Sequence, residues 1–413
     1  MSTVFSTLRG ATTDPLPCEL ITWQGERLGK IGMIQSIEFV QTIKPGAADT
    51  ATLKVYLDDL TATLLACDGE VLITAWLNGI RLLYVPITAE VASLDDDPRV
   101  AVLTVQAAGA WSFIEGEVTT PGLDGSLSNS PNAQFEITSD LETAVKTVIG
   151  AGIRRVGHPL VVLPTSGRGP TVTITGAWET VGEHVADALK GTGYGLTFTA
   201  WVPGDPPPAE GLGLSVPCYV VDVKPHTRRE GLIWSTLGRD IGSWRVERKR
   251  ASATRAIAHN GEDDPAERQV FTVQGDEPRS PWGVRETYVS HKPREDENMD
   301  PIRLREDVER AAVSTLTELA PALSVSADVH LAAGWEFGTD GATPRQFTVG
   351  DIGTLDLPVL GEISQVITDV TVTLTPAEFT VTPSVGTPDT LDTTAFGTLA
   401  ALDKRLTRLE RKG

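Results

Sequence analysis

Short segments rich in β-branched residues follow one another along the first quarter of the chain and limit that region to a β fold. Gly, Asp or Pro separates them, and the segments are CELITWQ, IQSIEFVQTI, ATLKVYL, EVLITAWLN, IRLLYVPITAEV and VAVLTVQAAG. Short strands at this spacing are typical of a sandwich or barrel. Asn78 and Gly79 tolerate the positive φ angles of a type I′ turn and predict a tight hairpin. We therefore predict a first tube-like β domain over residues 1–110.

The pattern changes after residue 110 and predicts an α/β insert over residues 111–244. Ser139 is the predicted cap of a first helix, with its capping-box partner Glu142, and Gly150 is the predicted stop. A second helix over roughly 178–190 precedes GTGYG. These glycines follow a helix instead of opening one, so they predict a helix end and not a phosphate-binding loop.

Strand patterns return after residue 244 and predict a second tube-like β domain over residues 245–388, interrupted by one helix. Asp300 can cap this helix, and Pro301 suits its first position. Its apolar stripe consists of Leu304, Val308, Ala311, Ala312, Leu316 and Leu319. A linker and a short C-terminal helix occupy residues 389–413. The predicted fold class is α+β and mainly β, with two β-barrel or sandwich domains around the insert.

Charge and cysteine content exclude several classes of protein. The net charge is −20, and such an acidic chain does not favour general nucleic-acid binding, which needs cations that release counterions from phosphates. No apolar run approaches the roughly 20 residues that span a bilayer. The N-terminus lacks the apolar stretch of a secretory signal, so we expect folding in the cytoplasm. Cys18, Cys67 and Cys218 are too widely spaced to predict disulfides or a metal knuckle.

No motif in the sequence predicts catalysis. There is no G-x-S-x-G elbow, and the six histidines are scattered singly. Three acidic clusters, LDDDP, GEDDP and REDENMDP, lack the alternating acidic ligands and the central Gly of a calcium loop. We therefore predict no enzyme, no cofactor and no metal site.

Two alternatives stay open. The first is a carboxylate pair for glycoside hydrolysis, because the spacing of such a pair is spatial and not sequential. The second is a carbohydrate-binding adhesin that uses Trp178 and Trp201 of the insert. Trp76, Trp201 and Trp234 nevertheless lie inside strand patterns and are predicted to be core residues.

The order of the predicted elements after residue 258 is a further feature that can be compared with known protein families. HNGEDD, RQVFTVQG and RETYVS precede the capped helix IRLREDVERAAVSTLTEL, and FTVGDIGTLDL and ISQVITDVTVTLTP follow it. This layout resembles the tail-tip, or baseplate hub, proteins of long-tailed bacteriophages, above all the minor tail proteins of siphophages that infect actinobacteria. In that family a Gly-Asp turn, here Gly350 and Asp351, opens a barrel strand, and a strand carrying Val366 and Val370 returns.

The resemblance implies a structural virion protein, a homotrimer at the tail tip that is assembled in the host cytoplasm. Three copies with two tube-like β domains each would match the sixfold tail tube above and present threefold symmetry to fibre or spike components below. The implied partners are the distal tail protein, the tail tube proteins, the tape-measure protein and the tail fibre or receptor-binding proteins. DNA would pass through the lumen during ejection without specific binding, which an acidic lining favours.

The chain ends on a basic segment with a leucine seam, FGTLAALDKRLTRLERKG. Leu399, Leu402, Leu406 and Leu409 have the 3, 4, 3 spacing of alternating a and d heptad positions, and we predict them as oligomerisation residues. So short a helix does not persist alone in water, so the seam needs a partner. That partner is two further copies at a trimer axis, the chain's own domain or the next tail protein. Leu at both a and d does not select one oligomeric state.

Overall fold

The computed structural model describes residues 16–386 with short gaps. The gaps are 95–96, 124–133, 262–263, 265, 276–282, 292–300, 320–321, 332–333, 340, 342–343 and 359. Strands far outnumber helices in the described residues, and most strand pairs are antiparallel. The predicted fold class, α+β and mainly β, is confirmed.

The first region consists of strands around a short 3₁₀ helix at Thr61–Ala66. Strands β1 to β7 are Cys18–Thr22, Arg27–Lys30, Ile34–Thr42, Thr50–Tyr56, Val71–Leu77, Ile80–Leu94 and Asp97–Ala108. The predicted hairpin at Asn78 and Gly79 is confirmed, because both residues have positive φ angles, 45° and 83°, between β5 and β6.

The second region alternates helices and strands. Helices α1 to α3 are Trp111–Glu115, Leu141–Val156 and Val181–Leu189. Strands β8 to β13 are Phe135–Asp140, Leu160–Val162, Thr171–Gly176, Tyr194–Trp201, Cys218–Pro225 and Thr227–Ser235.

The last region contains one long helix, α4 at Pro301–Glu318. Strands β14 to β18 are Ile241–Lys249, Arg255–His259, Val270–Gln274, Glu286–Ser290 and Ala322–Val329. Strands β19 to β23 are Glu336–Phe337, Gln346–Phe347, Asp351–Leu357, Gly361–Leu374 and Phe379–Gly386.

One sheet joins the two ends of the described chain. Its neighbouring strands run in the order β23-β22-β3-β4-β7-β6-β5-β1-β2, with β21 beside the first half of β22. The second half of β22 pairs antiparallel with β3, from Asp369 opposite Thr42 to Leu374 opposite Ile37. The N-terminal and C-terminal strands therefore share one hydrogen-bonded surface.

The insert builds its own layer over part of this sheet. Strands β11, β12 and β9 form a small sheet, β8 pairs with β10, and α2 and α3 pack beside them. Their core contains Val145, Val185 and Val221, all fully buried. Ile21 and Leu72, from β1 and β5, belong to the same core. Shared burial of apolar side chains thus attaches the insert to the first β region.

The ends of α2 differ from the prediction. Asp140, and not Ser139, is the N-cap, because its carboxylate accepts a hydrogen bond from the Thr143 N–H at 2.9 Å. Gly150 lies inside the helix, and the stop is Gly157, in a left-handed conformation with φ 80°. Two adjacent capping candidates cannot be ranked from sequence, and an isolated Gly is tolerated within a helix that packs on a core.

The described residues of Arg245–Val325 form a compact unit of their own. Strand β15 lies between β16, which is antiparallel to it, and β17, which is parallel. Val308, Ala312 and Leu316 of the predicted stripe are buried against this sheet, and α4 begins at Pro301 as predicted. Asp300, its predicted cap, lies outside the described residues.

The rest of the described chain, within Met1–Trp244 and Ser326–Gly413, forms the other compact unit. The four-part division at residues 110, 244 and 388 stays a prediction. In the described part of the chain, no helix is long and apolar enough to cross a membrane. All three cysteines are free; Cys18 and Cys218 are buried, whereas Cys67 is partly exposed.

Gly353 in β21 generates a first prediction. A Cβ atom at this position would overlap the ring of Trp234, which is fully buried and donates its indole N–H to the His330 carbonyl at 3.0 Å. Gly353→Ala should therefore lower the free energy of unfolding by roughly 2–3 kcal/mol, as overpacking does. Urea denaturation of both proteins measures this loss.

The matched control is Gly213→Ala, at a residue where an added Cβ would meet no heavy atom within 4 Å. We expect that variant to unfold within about 0.5 kcal/mol of the unmodified chain. Equal stability of the two variants would contradict the described packing of Trp234.

Candidate functional site

A continuous polar row crosses six strands of the main sheet on one face. Its members stand directly opposite one another in register, and they are Thr380, Thr373, Glu38, Thr52, Gln106 and Thr88, on β23, β22, β3, β4, β7 and β6. A parallel row on β3, β4, β7 and β6 consists of Ser36, Lys54, Thr104 and Glu90. We call these two rows the polar face.

The opposite side of the same strands is apolar. The residues that lie opposite one another there are all buried, and they are Val372, Phe39, Ala51, Ala107 and Pro86. Side chains alternate between the two faces of a strand, so this burial directs the hydroxyl and amide groups outward. The polar face carries Lys54 as its one cation among the described residues of the two rows, beside Glu38 and Glu90.

The Gly-Asp turn expected from the resemblance occurs where β21 begins. Gly350 has φ 88°, and β21 opens at Asp351, which is 4% exposed. Its carboxylate accepts hydrogen bonds from the Thr348 N–H at 2.8 Å and from Arg229 Nε at 2.8 Å. Strand β22, which carries Val366 and Val370, then returns antiparallel to β21, and Val366 lies opposite Ile352.

Three separate parts of the chain meet beside this turn. Ile43, after β3, is 6% exposed and lies against Gly195 of the insert and Gly350. His226 Nδ1 lies 3.0 Å from the Gly350 carbonyl oxygen. Lys44 Nζ lies 2.7 Å from an Asp369 carboxylate oxygen of β22. Apolar contact, a hydrogen bond and an ion pair therefore hold the first β region, the insert and the last strands together.

Asp49 sits at the edge of this junction. Its Oδ1 accepts a hydrogen bond from the Thr42 N–H at 2.8 Å. Burial raises the pKa of Asp49 to about 7, the Asp369 carboxylate adds to the rise, and the Thr42 N–H opposes it. A carboxyl group whose pKa rises on folding binds a proton more tightly in the folded chain.

A buried charge network fixes the insert internally. Lys146 Nζ lies 2.6 Å from Glu142 Oε1 and 2.7 Å from Asp222 Oδ1, and all three side chains are almost completely buried. Arg168 binds the same two carboxylates at 2.8 and 2.6 Å. The Ser166 and Arg168 N–H groups also donate to Glu142 Oε2. The network connects α2, β12 and the loop before β10.

Glu142 and Asp222 form one carboxylate pair that the structure brings together, and the environment of Glu142 opposes catalysis. The Arg168 guanidinium, then Lys146 and two backbone N–H groups, hold the pKa of Glu142 well below its usual range. A general acid for glycoside hydrolysis needs a raised pKa and access to substrate. Glu142 has neither, since its side chain is fully buried. The network therefore stabilises the insert and does not present a hydrolase site.

The two tryptophans of the adhesin alternative lie in different environments. Trp178 is 58% exposed, whereas Trp201 is 7% exposed and donates its indole N–H to the Asp205 carbonyl oxygen at 3.1 Å. The prediction of Trp201 as a core residue is confirmed, so its pairing with Trp178 as a sugar platform is wrong. An aromatic platform needs two accessible rings, and this pair supplies one.

Two of the histidines have side-chain partners in the described part of the chain. His184 Nε2 lies 3.5 Å from a Glu179 carboxylate oxygen, and His259 is hydrogen-bonded to the Tyr288 hydroxyl. No three His, Cys, Asp or Glu side chains of the described residues converge as metal ligands would. The predicted oligomerisation residues Leu399, Leu402, Leu406 and Leu409 lie outside the described residues.

Comparison with known proteins gives a similarity to tail proteins. No protein-family model matches the chain, and no curated protein matches it. The solved structures to which the chain is similar include the 43 kDa tail protein of prophage MuSo2 from Shewanella oneidensis. The two chains are 12% identical, with a TM-score of 0.47 over 90% of this chain and 97% of that one.

Two further tail proteins show a similar likeness. The tail protein from Neisseria meningitidis is 11% identical, with a TM-score of 0.48 over 91% of this chain and 99% of that one. The prophage tail protein gp18 from Listeria monocytogenes is 12% identical, with a TM-score of 0.47 over 95% of this chain and 99% of that one. Identities and TM-scores this low do not assign the chain to a family.

The raised pKa of Asp49 generates a prediction about pH. Between pH 3.8 and about 7 the folded chain holds a proton on Asp49 that the unfolded chain releases, so stability falls as pH rises through this window. Asp49→Asn keeps the acceptor for the Thr42 N–H and removes the titration. The variant should match the unmodified chain near pH 4 and exceed its stability at pH 8.

The gain is at most about 1.4 kcal/mol for each pH unit of the window. Urea midpoints measured from pH 4 to pH 8 check it. Asp59→Asn, at an exposed carboxylate of the same region, is the matched control and should leave the pH profile unchanged. Parallel profiles for Asp49→Asn and the unmodified chain would show that Asp49 titrates normally.

Proposed function

We propose that this chain is a structural, non-enzymatic tail protein of a long-tailed phage, and that three copies form the hub of the tail tip. The polar face is the observation that carries the proposal. Strands from both ends of the chain build it, it is hydroxyl-rich, and its reverse side is a packed apolar core. Such a sheet has the properties of one segment of a channel wall.

The chemistry of the polar face suits the passage of DNA. Affinity for DNA comes mainly from Lys and Arg that neutralise phosphates. The two rows present Thr, Ser and Gln with Glu38 and Glu90, and Lys54 stands alone as a cation there. A polyanion meets hydrogen-bonding groups on this face without a cluster of positive charge, so it slides without being held. We therefore assign the polar face to the lumen.

The order of elements supports placing the chain at the tail tip. Helix α4 comes first in the chain, the Gly-Asp turn at Gly350 follows it, and strand β22 then returns. The hub family that the sequence resembles has the same order of elements. In this proposal the domains at 1–110 and 245–388 alternate around a ring and match the tail tube, while the insert lies outside. The partners are the distal tail protein, tube, tape-measure and fibre or receptor-binding proteins of a siphophage of actinobacteria.

The C-terminal leucine seam supplies the proposed trimer contact, and it yields a direct test. Leu402→Lys combined with Leu406→Lys places charge in the seam, so a trimer held by it should dissociate into monomers. Native mass spectrometry of the purified chain and of the variant measures the oligomeric state. The unmodified chain should be a trimer at micromolar concentration.

The matched control places the same two charges outside the seam, as Ala400→Lys with Thr407→Lys. This control should remain a trimer. A monomeric unmodified chain at high concentration would contradict the trimer. A double variant that keeps its trimers but unfolds more easily would show that the seam docks on its own domain.

A further inference from the structure

An open groove of about 420 Å³ lies beside β2, at one end of the main sheet. Glu19, Arg27, Lys30, Trp76 and Arg81 of the first β region line it, together with Asp205 of the insert. This volume falls within the range of ligand-binding clefts. In the sheet, β5 and β1 separate β2 from β6, the nearest strand of the polar face, and the groove takes no part in the proposed channel.

One wall of the groove is rigid. Arg81 binds both carboxylate oxygens of Asp205, at 2.8 and 2.5 Å, and its guanidinium lies 4.7 Å from the centre of the Trp76 ring. The side chains of Arg81 and Asp205 are 10% and 12% exposed. The prediction of Trp76 as a core residue is therefore wrong in part, because its ring is part-exposed and forms the groove wall under Arg81.

The other wall carries two accessible cations. In the pair of β1 and β2, Lys30 lies opposite Glu19, and Arg27 lies opposite Ile21. The two residues on β1 are two positions apart, whereas Lys30 and Arg27 on β2 are three positions apart. A β-bulge between these pairs makes that possible, because it turns both side chains to the same side of β2. Arg27 is 68% exposed and approaches Glu19 at 3.5 Å, so this ion pair is weak.

The charge of the groove is opposite to that of the chain. Arg27, Lys30 and Arg81 face Glu19 and Asp205, so the lining has an excess of one positive charge, whereas the whole chain carries −20. Arg81 is fully engaged by Asp205. The excess therefore resides on the exposed wall, at Arg27 and Lys30, where an anionic group of a ligand could reach it.

Strand β2 also offers an open edge. Among the described residues it pairs with β1 and with no other strand. The Ile31 N–H donates to the Cys18 carbonyl oxygen at 2.9 Å, so the alternation of an antiparallel pair directs the Lys30 N–H away from β1. An edge of this kind binds an extended segment by adding a strand.

We propose that this edge and groove bind an extended acidic segment of a partner protein. The segment adds to β2 through backbone hydrogen bonds, and its carboxylates meet Arg27 and Lys30 along the groove. Trp76 and Arg81 form the fixed wall that limits its course. The proposal stands on the groove alone, so it holds or fails independently of the tail assignment.

The test uses two fluorescein-labelled octapeptides, one of alternating Glu and Val and one of alternating Lys and Val. Fluorescence anisotropy with the full chain should show saturable binding of the Glu-Val peptide alone. Arg27→Gln with Lys30→Gln should weaken that binding roughly tenfold, since two charge-assisted contacts are lost. Hydrogen exchange should show the Lys30 amide protected when the peptide is bound.

The control variant removes two exposed cations elsewhere, as Lys190→Gln with Arg228→Gln, and should bind like the unmodified chain. Thermal unfolding checks that both double variants are folded. Equal binding of the Lys-Val peptide, equal losses in the two double variants, or an unprotected Lys30 amide would each overturn the proposal. A last measurement compares sodium sulfate with sodium chloride at equal ionic strength. If sulfate displaces the Glu-Val peptide more strongly than chloride does, the groove is a simple anion site and the proposal is overturned.

Discussion

The pairing of β22 with β3 is the interaction on which the rest of the described sheet depends. Six successive pairs, from Asp369 opposite Thr42 to Leu374 opposite Ile37, connect strands that lie more than 300 residues apart in sequence. Strand β22 also pairs with β21 and β23. Without it, the polar face would divide into two smaller patches, and the apolar reverse side would lose its continuity.

The junction beside Gly350 explains how the insert is accommodated without interrupting that sheet. Ile43 packs between the backbone of the insert and the Gly350 turn, and His226 binds the Gly350 carbonyl. Farther out, Ile21 and Leu72 enter the insert core. The charge network around Lys146 then acts inside the insert, where loss of one partner would leave a buried charge.

Local features of the fold could be predicted from the sequence because they depend on neighbouring residues. The alternation of β4, the Asn78-Gly79 turn and the stripe of α4 are of this kind. The helix cap at Asp140 could not be chosen over Ser139, since both side chains can accept the same hydrogen bond. The environment of Trp76 was missed because a strand pattern does not reveal where a covering layer ends.

The pairing of strands that lie far apart in the sequence could not be predicted, and neither could the convergence of the four charged side chains in the insert. Nothing local indicates that β22 adds to β3, and hydrophobic alternation fits many partners. The i,i+4 spacing of Glu142 and Lys146 is a local pattern, but no motif links this pair to Arg168 or to Asp222, which lies 80 residues after Glu142. The groove beside β2 depends on a bulge, which a single sequence does not show. The sequence therefore indicates the candidate surfaces only through composition, for example through the Thr residues of β4 and β22.

Immunogold labelling of purified virions tests the central claim most directly. An antibody raised against this chain should label the distal tip of the phage tail, and labelling should disappear when the antibody is first absorbed with the purified protein. Label on the head, along the whole tail or on no part of the virion would contradict the assignment of this chain to the tail-tip hub.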